Sequence, residues 1–144
     1  MAKLMSRLAL PVLLAGLAVL AIRGSVLSSF PPVVLAQAMA LAVAFWARRS
    51  FDRGQFRVTE EPAGGGLLDK GPYRFLRHPM YAAALLFLWA SILGHWSLAN
   101  AGVGLVVTAV VSIRIVHEEG ILRERLPGYA EYCRRTKRLV PYLL

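Results

Sequence analysis

A single cysteine, Cys133, stands among the 144 residues, so no intrachain disulfide can form. Its basic neighbours Arg134 and Arg135 would favour a thiolate, yet one cysteine in such a stretch reads first as a bystander. Acidic residues are scarce: eight Asp and Glu face seventeen Lys and Arg, for a formal charge of +9. Only three histidines occur, and no HxxxH or HxxE spacing gathers His78, His95 and His117 into a metal set. Gly64-Gly65-Gly66 is not followed by GK[ST], which excludes a phosphate loop and leaves a flexible hinge as the reading. The chain also lacks the polar stretches of a soluble domain, apart from one segment, Ser50 to Arg77.

Apolar residues dominate instead, at 57% of the chain, with a mean hydropathy of +0.54. They fall in four runs: Leu8–Ile22, Val33–Ala47, Met80–Leu93 and Leu98–Val116. Each approaches the roughly 20 residues that a membrane-crossing helix needs, with flanking residues making up the length. A basic start ahead of an apolar stretch is also the pattern of a secretory leader; the further runs of similar length favour a span. Pro11 falls near the start of the first run, where a first helical turn tolerates it. The link Gly94-His95-Trp96-Ser97 is short, which predicts an antiparallel hairpin of the third and fourth runs, with His95 and Trp96 as interface anchors.

Sixteen of the seventeen basic residues lie before the first run, between the second and third, or from Arg114 onward; only Arg23 falls elsewhere. Four spans with both termini cytoplasmic put all sixteen on one face, as the positive-inside tendency requires. The positive charge is then accounted for by topology and anionic lipid, without nucleic acid as a partner. The expected fold is all-α and integral to the membrane. It is one domain over residues 1–144: two N-terminal spans (1–47), a cytoplasmic segment (48–79), a helical hairpin (80–116) and an amphipathic cytoplasmic tail (117–144).

Three clusters carry chemistry. In GPYRFLRHPMY, Gly71 to Tyr81, the donors Arg74, Arg77 and His78 are fixed where Pro79 opens an apolar helix. A helix N-terminus adds free N–H groups and partial positive charge, so the cluster suits an anionic or carboxylate-bearing small molecule. In RIVHEE, Arg114 and Glu118 are four apart and share a helix face. They read either as a snorkelling arginine paired at a solvated helix end or as an ion pair lining a pocket within the membrane. The hairpin brings the start of the third helix and the end of the fourth together, which favours the pocket. Tyr129 and Tyr132, three apart, are neighbours on a helix; they either cover a ring such as an adenine or anchor an interfacial helix.

As an ordered set, GPY-x₃-RHPMY, R-x₃-EE, Tyr-x₂-Tyr and R-L-V-P resemble the isoprenylcysteine carboxyl methyltransferase family, whose C-terminal signature is shared with membrane phospholipid N-methyltransferases. The resemblance covers Gly71 to Pro141, about half the chain. It implies an S-adenosylmethionine-dependent methyltransferase acting on a lipophilic carboxylate, amine or thiol at the cytoplasmic membrane face. It assigns Tyr73, Arg77, His78, Pro79, Tyr81, Glu119, Tyr129 and Tyr132 to the S-adenosyl-L-methionine pocket, and Arg114 and Glu118 to the transferred methyl and the reacting group. Two departures bear on the adenosine pocket: Leu126-Pro127-Gly128-Tyr129 replaces a Phe-Gly at a spacing one residue longer, and Thr136-Lys137 precedes Arg138-Leu139-Val140-Pro141 where apolar residues are common. Two other classes stand beside this one: a non-catalytic membrane binding or assembly module of the same fold, and a nicotinamide-dependent relative of the sterol-type reductases.

Overall fold

The computed structural model describes residues 2–50 and 70–140, with side chains described from residue 8 onward in the first helix. The expectations resting on Arg53, Arg57, Gly64–Gly66 and Pro141, and on the side chains of Lys3 and Arg7, lie outside the described residues. What is described is helical: α1 (Ala2–Ile22), α2 (Pro31–Arg49), a 3₁₀ turn (Gly71–Arg74), α3 (Pro79–Gly94), α4 (Leu98–Arg125) and the short α5 (Tyr129–Arg135). Among these, α2 and α4 are long and apolar enough to cross a membrane; the apolar part of α1, Leu8–Ile22, and α3 are shorter.

The helix starts follow local chemistry. Pro31-Pro32 opens α2 and Pro79 opens α3, in the first turn where a missing N–H leaves nothing unpaired. Ser97 caps α4 by accepting from the Asn100 amide at 3.1 Å. Two expectations are corrected. Pro11 lies inside α1, not in its first turn, because Ala2 to Arg7 joins the same helix. The fourth helix does not give way to a tail at His117; it runs on to Arg125, because residues 117–125 contain no breaker before Pro127. Arg114, Glu118 and Glu119 therefore sit on one rigid rod.

The helices pair antiparallel. Gly16 of α1 faces Val107 and Val103 of α4, Gly104 of α4 faces Ile92 and Trp89 of α3, and Val33 of α2 faces Gly94 of α3. A Cβ on Gly104 would stand 2.6 Å from Ile92 Cδ1, and one on Gly16 2.7 Å from Val107 Cγ2, so small residues set both helix separations, as is usual between apolar helices. Leu13, Leu20, Leu88, Ile92, Val107, Val111 and Ile115 form the buried core between α1, α3 and α4. Leu14, Leu35, Phe45, Leu105 and Val106 point outward and are exposed, a continuous apolar exterior that only lipid or protein would cover without penalty.

At the hairpin tip a polar network fastens the α1–α2 connection to α3 and α4. Gln37 Nε2 donates to Val26 O at 2.6 Å and to Ser91 Oγ at 3.0 Å. Arg23 Nε donates to Asn100 Oδ1 at 2.9 Å, and Asn100 Nδ2 to His95 O at 2.8 Å. Sequence reasoning passed over Gln37 and Asn100, since an isolated amide in an apolar run carries no local signature.

At the other end, Gly71 sits at φ +56° with its α-carbon against Ser50 and Trp46. A Cβ there would overlap Ser50 Oγ and stand 3.2 Å from Trp46 Nε1. Gly71→Ala is expected to destabilise the protein by about 1–2 kcal/mol from the left-handed backbone alone, plus the steric term. Thermal unfolding in detergent checks this: Ser50→Ala should recover the steric part in the double variant and leave the backbone part.

Candidate functional site

The site is assembled from the 3₁₀ turn, the start of α3, the C-terminal third of α4, and α5 with the strand-like residues after it. Residues 136–138 return alongside Phe75–His78. Lys137 N donates to Phe75 O at 3.0 Å, Arg77 N to Lys137 O at 2.7 Å and His78 N to Arg138 O at 3.1 Å, a short parallel pairing centred on Leu76 and Lys137. Two side chains reinforce it. Tyr132 donates its hydroxyl to Tyr73 O at 2.7 Å, and Arg77 donates Nη1 to Cys133 O at 3.0 Å and to Thr136 O. Two signature stretches nearly sixty residues apart are thus joined through main-chain groups, which any sequence could supply and which no motif announces.

Glu119 is the hub beneath this junction. Its side chain is 3% exposed, and it accepts from Arg77 Nε at 2.7 Å and from Arg138 Nε at 3.1 Å. Arg123 Nη2 lies 3.8 Å away on the same helix, and His78 Nε2 stands at 3.5 Å, outside hydrogen-bond geometry. A buried carboxylate with one cation would barely balance its desolvation; a set of cations with direct hydrogen bonds does. The expected assignment gives Arg77 to a ligand carboxylate. In the structure its Nε and Nη1 go to Glu119 and to the tail carbonyls, because a nearly buried guanidinium takes the acceptors that surround it.

One helical turn earlier on α4, Arg114 and Glu118 meet Tyr81 of α3. Arg114 Nε donates to the Tyr81 hydroxyl, Tyr81 donates to Glu118 Oε2 at 3.3 Å, and Arg114 Nε lies 3.7 Å from Glu118 Oε2. The Arg114 guanidinium carbon sits 5.8 Å from the centre of the Tyr81 ring. Arg114 is buried while the Glu118 side chain keeps 25% exposure, so the pair presents its carboxylate, not its guanidinium, outward. Tyr81 also stacks near His78, with ring centres 5.7 Å apart. The hairpin therefore brings His78, Tyr81, Arg114 and Glu118 to one end, as the spacing predicts, and rules out placement of positions 78 and 114 at opposite ends of the bundle.

The tyrosines remain neutral donors. Burial, followed by the charge of Tyr132 and Glu118, pushes the Tyr73 phenol well above its ordinary value. Burial and then Glu119 do the same for Tyr129. The Tyr129 hydroxyl is buried and has no hydrogen-bond partner, and its ring lies 5.8 Å from that of Tyr132. A buried phenol left unsatisfied costs free energy that a ligand acceptor would recover. Together with the imidazole of His78, it fits a small ligand carrying hydroxyl, ring-nitrogen or carboxylate acceptors. Pro79 contributes shape rather than a donor, holding His78 just ahead of the first turn of α3.

A family model for phospholipid methyltransferases matches residues 32–127, two thirds of the chain. The match takes in the 3₁₀ turn, α3 and α4 with Arg114, Glu118 and Glu119, and ends before Tyr129 and Tyr132. The cobalt-zinc-cadmium resistance protein CzcN of Cupriavidus metallidurans is 35% identical over 85 residues, which cover 54% of this chain and 36% of that protein. The aligned part is thus about a third of that relative's length. No solved structure matches the chain.

Proposed function

Because the chain belongs to the phospholipid methyltransferase family, membrane methyltransferases related to the isoprenylcysteine carboxyl methyltransferases, we propose that it moves a methyl group from S-adenosyl-L-methionine to a lipophilic acceptor. Methyltransferases of this family generally use that donor. The observation that carries the reading is the meeting of Tyr81 with Arg114 and Glu118 beside His78. It puts an acid–base pair, a phenol and an imidazole at one end of an apolar hairpin.

In this reading the four helices all span the membrane, both termini are cytoplasmic, and the site lies at the inner leaflet. His78, Tyr73, Tyr129 and Tyr132 hold the donor, with Glu119 fixing the walls. When bound, S-adenosylmethionine supplies a methyl group already activated by its sulfonium, so the protein's task is alignment for in-line displacement. Arg114 orients an acceptor carboxylate or thiolate by charge-assisted hydrogen bonding. For an amine acceptor, the exposed Glu118 carboxylate takes the proton that the nitrogen must lose. Tyr81, hydrogen-bonded to both, fixes their spacing. An acceptor of this kind enters sideways from lipid, between helices, and the donor enters from water.

Incubating purified protein in lipid nanodiscs with methyl-labelled S-adenosylmethionine and a total lipid extract tests the proposal. Label should pass into an organic-soluble product that requires the protein. Recovery of all label as donor, with lipid extracts from several sources, would overturn the reading and favour a binding or assembly module.

A further inference from the structure

We propose that a cleft between the 3₁₀ turn and α5, walled by Arg74 and Arg135, is a binding site for a phosphoryl group. The cleft encloses ≈ 300 Å³ and is lined by Arg74, Tyr132, Arg135 and Thr136. Neither arginine has an ion-pair partner among the described residues; Glu131, on the same short helix, pairs with Arg134. That is unusual here, because the other guanidinium groups around Glu119 are drawn onto a carboxylate. Two unpaired cations of one sign facing a shared cavity repel each other and lower the charge cost of admitting an anion.

The two lining hydroxyls do not compete for the arginines' role. Thr136 Oγ1 donates to Tyr132 O at 2.6 Å, and the Tyr132 hydroxyl donates to Tyr73 O at 2.7 Å. The donors left for a guest are the guanidinium forks, whose planar geometry fits the oxygens of a phosphate bidentately. The walls are held in place by the pairing of residues 75–78 with 136–138, so the spacing of the two arginines is set by the fold. Phe75, next to Arg74, is 52% exposed, an apolar side chain suited to the acyl boundary while its neighbour holds a headgroup. A phosphate-bearing lipid and free phosphate share this chemistry. The proposal stands apart from the methyl-transfer reading and does not require it.

Binding is read in detergent-solubilised full-length protein by microscale thermophoresis, with three probes: dihexanoyl phosphatidic acid, dihexanoylglycerol, and inorganic phosphate. Saturable binding of the phosphatidic acid is expected, none of the phosphate-free diacylglycerol, and a tenfold or greater loss of affinity in Arg74→Gln and in Arg135→Gln. Arg134→Gln removes the same charge outside the cleft and should change affinity less than twofold. Inorganic phosphate binding with the same dependence supports a site for the phosphoryl group itself; its failure to bind while the lipid does assigns the site to the headgroup. Equal weakening by all three variants shows diffuse surface attraction and overturns the proposal, as does absence of saturable binding. Displacement of phosphate by S-adenosylhomocysteine, with loss of that ligand in Arg74→Gln, would give the cleft to the donor's carboxylate and overturn it as well. Unchanged melting temperatures in the variants show that any loss is local.

Discussion

Arg114→Ala is expected to reduce methyl transfer by about 10²–10³-fold, the range seen when a preorganised charged donor is removed from a reacting centre, while S-adenosylhomocysteine still binds. The separation follows from the geometry. Arg114 touches Tyr81 and Glu118, whereas the groups proposed to hold the donor, His78, Tyr129 and Tyr132, are fixed through other contacts. Arg114→Lys keeps the charge and loses the fork, and should recover only a small part of the rate. Single-turnover transfer and calorimetric binding on the same preparations check both halves. Full activity in the alanine variant would reject the assignment, and parallel loss of binding, activity and melting temperature would make Arg114 a structural residue.

The second large effect belongs to Glu119. Glu119→Gln removes the charge that Arg77 and Arg138 share, leaving a nearly buried guanidinium without its counter-ion. Breaking such a pair costs about 3–5 kcal/mol when one partner is deleted. The loss should be local: residues 136–140 separate from Phe75–His78, exposing Arg134 and Arg135 to trypsin, while the core of α1, α3 and α4 stays intact. Arg77→Gln should do the same, and the double variant should cost less than the sum, because both changes remove one interaction. Limited proteolysis and amide exchange at His78 and Lys137 measure it. An unchanged cleavage pattern in Glu119→Gln would show that the main-chain pairing alone holds the tail.

The apolar runs and the short link at Gly94–Ser97 predict α2, α3, α4 and the antiparallel hairpin, since burial period and helix length leave little choice. The hairpin in turn predicts that Arg114 and Glu118 meet the start of α3, and Tyr81 is where they meet it. The continuation of α4 past His117 was not legible, because a charged amphipathic stretch reads equally as a tail or as a helix leaving the membrane. Nor was the role of Arg77 and Glu119 as a clasp. Its partners are carbonyls of Cys133 and Thr136 and the side chain of Arg138, and main-chain acceptors carry no sequence code. Glu119 and Arg123, four apart, gave the one local hint that the second glutamate of the pair is an ion-pair centre. The arginine-walled cleft depends on where α5 turns back, which Gly128 at φ +82° sets and which spacing alone does not reveal.

A small helical hairpin of this kind could also serve a nicotinamide cofactor or none, so the decisive measurement is a pair of titrations on purified, full-length protein. S-adenosylhomocysteine and NADPH are each titrated by calorimetry into wild type and into Tyr129→Phe, whose buried hydroxyl has no hydrogen-bond partner within the protein. The account predicts saturable binding of S-adenosylhomocysteine, weaker in Tyr129→Phe at unchanged melting temperature, and no binding of NADPH. Binding of NADPH alone, or of neither, would contradict it.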